Sequence, residues 1–261
     1  MELSLKGKTA LVCGSSQGIG LAIAQELALL GARCILLARN EATLKDAIGS
    51  LSHAAGQQHS YAFADFADNA AVKKAAAMIV AHGPVHILIN NTGGPAPGLL
   101  FEEASDKLEM AFQQHIVNYQ ILAQAVIPGM KEVGYGRIIN IVSTSVKVPI
   151  PGLGVSNTIR AATAAWAKTL SLELAKSGIT VNNVLPGFTE TKRLASLIEV
   201  NSTKQGISKE ELIEKMKAGI PAHRFAKPEE VAALAAFLSS PAAAYINGTS
   251  IPVDGGSTGA F

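Results

Sequence analysis

Seven residues near the start of the chain, Gly14-Ser15-Ser16-Gln17-Gly18-Ile19-Gly20, have the types and spacing to hold a diphosphate. Gly14 lets the chain turn sharply, Gly18 lets backbone N–H groups approach phosphate oxygens, and Gly20 lets a following helix pack close to the preceding strand. A helix beginning near Ile19 would aim its positive end at the same place. Glycines also mark ordinary turns, so the setting decides: the loop lies between an apolar run and a helical pattern, at the head of a strand–helix–strand unit. The candidate phosphate-binding set is Gly14, Ser16, Gln17, Gly18, Ile19 and Gly20. The next strand-like run ends Leu37-Ala38-Arg39-Asn40, without the carboxylate that accepts the 2′-hydroxyl bonds of an NAD ribose. A guanidinium at Arg39 suits a 2′-phosphate through charge-assisted contacts, and Ser16 can add a hydroxyl donor. The chemistry these residues support is binding of NADP(H), with NADPH preferred over NADH; a solvated strand-end Arg39 is the competing reading.

Such a loop needs a strand before it and a helix after it, and the sequence alternates the two throughout. Short β-branched runs at 9–13, 34–38, 61–64, 85–90, 137–142, 180–185 and 250–253 predict strands. Helical patterns fill the gaps at about 19–30, 41–55, 70–81, 102–132, 155–177 and 228–238. The strands are near-continuous apolar runs, as burial on both faces requires. A Rossmann-type, doubly wound parallel α/β sheet follows, as a single domain over residues 1–261 with no internal repeat or linker. One long stretch from Pro186 to Arg224 breaks the rhythm. It carries amphipathic pieces at 192–200 and 209–218, separated by a polar loop at 201–208. It also follows a strand's carboxyl end, where open α/β sheets bind ligands. Residues about 190–223 are therefore read as a helical lid, a packed insertion being the alternative.

Composition narrows the partners. With 48% apolar and 16% charged residues the chain can build a large core and is not disordered. A net charge of +2, without Lys/Arg runs interleaved with aromatics, argues against nucleic acid or anionic membrane and for a small-molecule substrate. No apolar run is long enough to span a bilayer. The opening Met-Glu-Leu-Ser-Leu-Lys-Gly-Lys lacks a signal peptide's apolar region, so a cytoplasmic location is expected. Cys13 and Cys34 fall near opposite ends of neighbouring strands, about 12 Å apart. A disulfide needs about 7 Å or less between Cα atoms; both are read as reduced core thiols. No Cys/His cluster has metal-ligand spacing, so no metal is expected.

Further motifs stand in order along the chain. They are Asp65 after the third strand, Asn90-Asn91-Thr92-Gly93 after the fourth and Gly136-Arg137-Ile138-Ile139-Asn140-Ile141-Val142-Ser143 through the fifth. Pro186-Gly187-Phe188-Thr189-Glu190-Thr191 follows the sixth, and Pro252-Val253-Asp254-Gly255-Gly256 lies near the C-terminus. With the glycine loop, they make the chain resemble the short-chain dehydrogenase/reductase family over essentially its whole length. The bacterial 3-oxoacyl-(acyl carrier protein) reductases are a close general likeness. The resemblance implies that Asp65 bonds the adenine amino group and that Asn91 and Gly93 line the adenosine. It also implies that Thr189 and Thr191 hold the nicotinamide carboxamide and the phosphates. Local roles are open beside these: Asp65 as a loop cap, Asn91 as a turn former, Thr191 as a helix N-cap. The long helices 102–132 and 155–177, with Trp166, resemble those that form the family's dimer and tetramer contacts, so a homo-oligomer is expected; Trp166 is equally readable as a core anchor.

The family's catalytic pattern is an Asn, a Ser, and a Tyr four residues before a Lys. By position Ser143 matches the Ser, whereas Ser156 stands for the Tyr, Arg160 for the Lys and His115 for the Asn, with Asn118 one turn further on. Positioned proton transfer contributes about 10²–10⁴-fold to rate. An aliphatic hydroxyl is too weak an acid to inherit the phenol's task, and a guanidinium stays protonated. His115 is the nearby side chain whose ordinary pKa lies near neutrality; a histidine hydrogen-bonded within helix packing is its other reading. Tyr119 is i+4 from His115, whereas Tyr135 precedes the fifth strand and belongs at the wrong end of the sheet. Halohydrin dehalogenases in the same superfamily keep the Tyr and lose the glycine loop; this sequence does the reverse. The expectation is an NADP(H)-dependent oxidoreductase acting on a carbonyl, an alcohol or an imine. Ser143 would polarise the substrate, Arg160 would anchor the ribose, and His115 or water would supply the proton. A dinucleotide-binding protein without turnover and a non-redox lyase are the alternatives.

Overall fold

The computed structural model describes residues 1–260. Seven strands form one parallel sheet: β1 (Thr9–Cys13), β2 (Arg33–Ala38), β3 (Ser60–Phe63), β4 (Ile87–Asn90), β5 (Gly136–Ile141), β6 (Ile179–Pro186) and β7 (Ser250–Val253). Their order is β3-β2-β1-β4-β5-β6-β7, so the winding reverses between β1 and β4. That switch point opens a crevice at the strands' carboxyl ends. The chain places the glycine loop after β1 and Asn91 after β4 on its two sides.

Side chains alternate across each strand, and both faces are apolar. Ala10, Val12, Cys34 and Leu36 pack with α1 (Gly18–Leu29), α2 (Glu41–Gly49) and, near the C-terminus, the helix Pro228–Ser239. Leu11, Cys13, Ile35 and Leu37 face the other way, onto α3 (Asn69–Val80) and the helices Asn118–Glu132 and Gly154–Leu174. Cys13 and Cys34 thus lie on opposite faces, three register steps apart, and both are free. Burial pushes both thiols up, Cys34 to about 12, which makes them inert core groups. Pro252 is accommodated because β7 is an edge strand.

Three expected elements differ. The pattern at 102–132 is not one helix: α4 (Ser105–Phe112) passes into a five-residue π-helical turn, Gln113–Val117, before α5 (Asn118–Glu132) resumes. The pattern at 41–55 stops at Gly49, and the following segment folds back so that Gln57 Nε2 donates to Ala28 O. The polar loop expected at 201–208 is mostly helix. After α6 (Gly154–Leu174) and β6, α7 runs over Lys192–Gln205, because the Ser202 and Thr203 hydroxyls bond back to Glu199 O instead of breaking the helix. The stop is Gly206 at φ +65°, a left-handed C-cap that glycine adopts without strain. α8 (Lys209–Ala218) and α9 (Pro228–Ser239) complete the fold. Among the described residues no helix is long and apolar enough to cross a membrane, and no group of three side chains could hold a metal ion.

Candidate active site

The glycine loop is held from both sides. Gly14 N–H donates to Leu37 O, while the buried Ser15 Oγ accepts from Leu37 N at 3.1 Å, tying the loop to the strand that ends at Arg39. Across the switch point Asn91 Nδ2 donates to Cys13 O and Gly14 O, at 3.3 and 3.2 Å. A Cβ on Gly14 would sit 2.7 Å from Asn91 Nδ2, and one on Gly20 would overlap the Gly14 carbonyl oxygen. Gly14 and Gly18 also adopt φ values of +58° and +56°, which glycine alone takes readily. α1 starts at Gly18, and the Gln17 side chain does not cap it. Its first N–H groups and its positive end therefore face the crevice, as a bound diphosphate requires. The cradle fits a dinucleotide.

The crevice widens into a cleft of about 880 Å³. It collects Gly14, Ser16, Gln17, Gly18, Ile19, Arg39, Asp65, Asn91, Gly93, Ser143, Ser156, Arg160, Thr189 and Thr191; Gly20 lies beneath the loop as a packing residue. Local roles coexist with exposure to the cleft. Asp65 Oδ1 accepts from Ala67 N, and Thr191 caps α7 by accepting from Leu194 N while donating to Thr189 O. Ser143 Oγ accepts from Ser145 N at 3.1 Å. Ser156 and Arg160 lie one turn apart at the start of α6 and share its cleft face.

Arg160 is 8% exposed. Its Nη1 donates to Ile141 O at 2.9 Å, but its Nε has no partner. Burial lowers its pKa first, and the nearby Arg193 adds to the shift. Yet a guanidinium retains its proton, so the site keeps a fixed positive charge.

His115 departs from expectation. It sits in the π-helical turn, fully buried, and does not line the cleft. Neither ring nitrogen has a hydrogen-bond partner. Burial above all, and the Arg160 charge after it, hold its pKa at about 3; the Gly93 backbone beside it works weakly the other way. The expected near-neutral acid is corrected to a neutral imidazole. Tyr119, stacked edge-on at 6.0 Å, is equally buried, its phenol pushed up by desolvation and its hydroxyl unpartnered. Asn118 faces away, donating to Phe66 O at 2.7 Å and accepting from Asn69. Tyr135 lies at the far end of the sheet, as expected, donating to Ser239 O. Trp166 bonds Gln120 and packs on Tyr119 between α5 and α6. Among the described residues no Tyr, His or Cys lines the cleft.

Two contributors escaped the sequence reading. Ser15 carries no motif of its own between Gly14 and Ser16. Arg193, in the first turn of α7, reaches across the cleft to donate to Pro95 O at 2.6 Å. A cation in a helix's first turn opposes the macrodipole, which was the available signal.

The arrangement can bind a dinucleotide and present hydroxyl donors and a positive charge to a small molecule. A family model described as enoyl-(acyl carrier protein) reductase matches residues 14–258. The NADPH-dependent reductase BacG of Bacillus subtilis is 35% identical over 255 residues, covering 96% of this chain and 97% of that protein. The 2,3-dihydro-2,3-dihydroxybenzoate dehydrogenase of the same species is 34% identical, with 97% of each chain covered. Among solved structures, L-sorbose reductase from Gluconobacter frateurii, complexed with NADPH and L-sorbose, superposes with a TM-score of 0.93 at 31% identity over the full length of both chains. With this match across the sheet, the cradle and the cleft, the chain belongs to the short-chain dehydrogenase/reductase family.

Proposed function

We propose that this protein is an NADPH-dependent oxidoreductase acting on a carbonyl, alcohol or imine of a small molecule, with a catalytic set in which fixed charge replaces a titrating phenol. The observation that carries this reading is a glycine cradle opening onto a cleft that holds Ser143, Ser156 and Arg160 but, among the described residues, no Tyr, His or Cys. NADPH bound in the cradle would supply a hydride to an electrophilic carbon. Arg39 would meet the 2′-phosphate, Asp65 the adenine, and Thr189 and Thr191 the carboxamide and phosphates. Ser143 and Ser156 would donate to the substrate's polar atom, and Arg160 would anchor the ribose and stabilise negative charge developing beside it. A ketone would then take its proton from water, whereas an iminium needs none for an oxygen. Residues 190–223 would act as the lid of a single-domain cytoplasmic enzyme that assembles into dimers or tetramers.

The test is NADPH oxidation with ketones and cyclic imines side by side, together with fluorescence titration of NADPH and NADH. Tighter NADPH binding and faster imine turnover are expected; faster ketone turnover overturns the iminium variant. A second reading, dinucleotide binding without turnover, draws on the same missing acid and is supported if NADPH binds but neither substrate class reacts.

A further inference from the structure

Two of the three guanidinium groups that line the cleft, those of Arg160 and Arg193, lie near each other without a carboxylate partner among the described residues. Among the described residues no carboxylate lies within 4 Å of Arg160 or Arg193. Asp65 and Glu190, the acidic residues on the cleft wall, pair with neither. Arg160 has only the Ile141 carbonyl, and Arg193 only that of Pro95. Both converge on one spot: their Nη2 atoms lie 3.4 and 3.8 Å from the position a Cβ would take on Gly94. Arg160 is buried and Arg193 stands exposed at the cleft mouth, and like charges this close repel unless an anion joins them.

The diphosphate would fall to the cradle and to Thr191 at the start of α7, and the 2′-phosphate to Arg39, whereas the two guanidinium groups meet beside Gly94. The diphosphate cradle follows β1, and Arg39 follows β2. Arg160 bonds β5, and Arg193 bonds the loop after β4, on the opposite side of the switch point. The ribose that Arg160 would anchor offers hydroxyls, which carry no charge. An anion for this pair must therefore come with the second ligand. Charge-assisted hydrogen bonds of about 2.8 Å to the two oxygens of one carboxylate are long enough to bridge the two groups.

We infer that the substrate is an oxo acid or its hydroxy or imino counterpart, whose carboxylate is clamped between Arg193 of α7 and Arg160 of α6. The inference rests on the NADPH-dependent reading above and makes Arg193 a specificity-determining residue. It also couples α7 to the substrate, since the lid helix would carry one half of the clamp.

The experiment uses full-length protein loaded with NADP⁺ and calorimetric titration of 2-oxobutanoate, 3-oxobutanoate and 4-oxopentanoate against their methyl esters. At least one acid should bind tenfold or more tighter than its ester. Arg193→Gln should erase that preference without changing the Tm, because the side chain makes one hydrogen bond at the cleft mouth, and Arg193→Lys should restore part of it. The same variants titrated with NADPH separate the two sources of an oxyanion. A preference lost with NADPH affinity intact supports the inference. A preference that survives R193Q, esters that bind as well as acids, no binding by any acid, or a loss confined to NADPH affinity overturns it. If the wild type binds NADPH but shows no acid preference, this inference alone falls; if it binds no dinucleotide, the proposed function falls with it.

Discussion

Removing the buried charge at Arg160 should make the ligand-free protein more stable while destroying its binding function. Arg160→Met keeps an unbranched chain of similar volume, a swap that costs less than about 1.5 kcal/mol in packing. It deletes the hydrogen bond to Ile141 O, which at charge-assisted strength is about 1.5–3 kcal/mol. Against these stands the desolvation of a guanidinium that is 8% exposed and has no anionic partner, several kcal/mol per ion after relaxation. Replacement of buried ionic groups by well-packed apolar ones gains about 1–4 kcal/mol in favourable cases. The balance points to a gain of about 1–2 kcal/mol. For a chain of this size that is a rise in Tm of roughly 2–8 °C.

The assay is urea unfolding followed by far-UV circular dichroism, with and without NADPH and an oxo acid. The ligand-free variant should unfold at higher urea with an unchanged slope, and ligands should stabilise the wild type much more than the variant. A ligand-free R160M that unfolds at lower urea, with the slope unchanged, refutes the reasoning. The guanidinium would then be a structural group, already compensated in the empty protein.

Restoring the family pair should restore proton transfer. S156Y/R160K is expected to raise kcat/KM for ketones by about 10²–10⁴-fold, whereas R160K alone should not; equal rates in a steady-state assay would exonerate the missing phenol. Arg39→Ala should weaken NADPH by about 10–100-fold, the worth of one charge-assisted contact, and leave NADH unchanged by fluorescence titration. His115 should govern acid stability rather than rate. Its folded pKa of about 3 lies below the unfolded 6.5, so only the unfolded chain takes up this proton between those values. Its contribution is full above pH 6.5 and falls as pH drops through that window. His59 and His86, also lowered by burial, slope the same way. H115L should therefore flatten the decline in urea midpoint from pH 7 to 4 without abolishing it. An unchanged decline would show that His115 titrates normally.

What was legible in the sequence is what depends on local backbone geometry. Gly14, Gly18 and Gly20 announce a tight cradle because their positions reject a Cβ, and the missing carboxylate at the end of β2 is a matter of residue type. The strand runs read correctly because two-sided burial leaves few polar residues in them. Burial depth at a helical position was not legible. His115 reads as a candidate acid, and only the packing of the π-helical turn and α5 shows it and its neighbour Tyr119 withdrawn from the cleft. Nor was the π-helical turn readable, since one extra residue per turn leaves apolar periodicity nearly intact across 102–132. The helix over 201–205 was hidden because hydroxyls that favour loops can equally bond back to their own helix.

Unpartnered buried atoms gather around Arg160. Four of the eight buried side-chain atoms without a hydrogen-bond partner, among the described residues, are Arg160 Nε, both nitrogens of His115 and the Tyr119 hydroxyl. They are electrostatically coupled through Arg160 and gathered about a π-helical turn. Three of the four belong to Arg160 and His115, which by the family resemblance stand at the Lys and Asn positions. Buried polar atoms are otherwise nearly always partnered, and sequences break local rules chiefly where function demands it. A neutral imidazole and a raised phenol leave Arg160 as the charged member of this group. On the proposed function, the selective work of this site is to hold the Arg160 cation ready for an anion that arrives with the substrate.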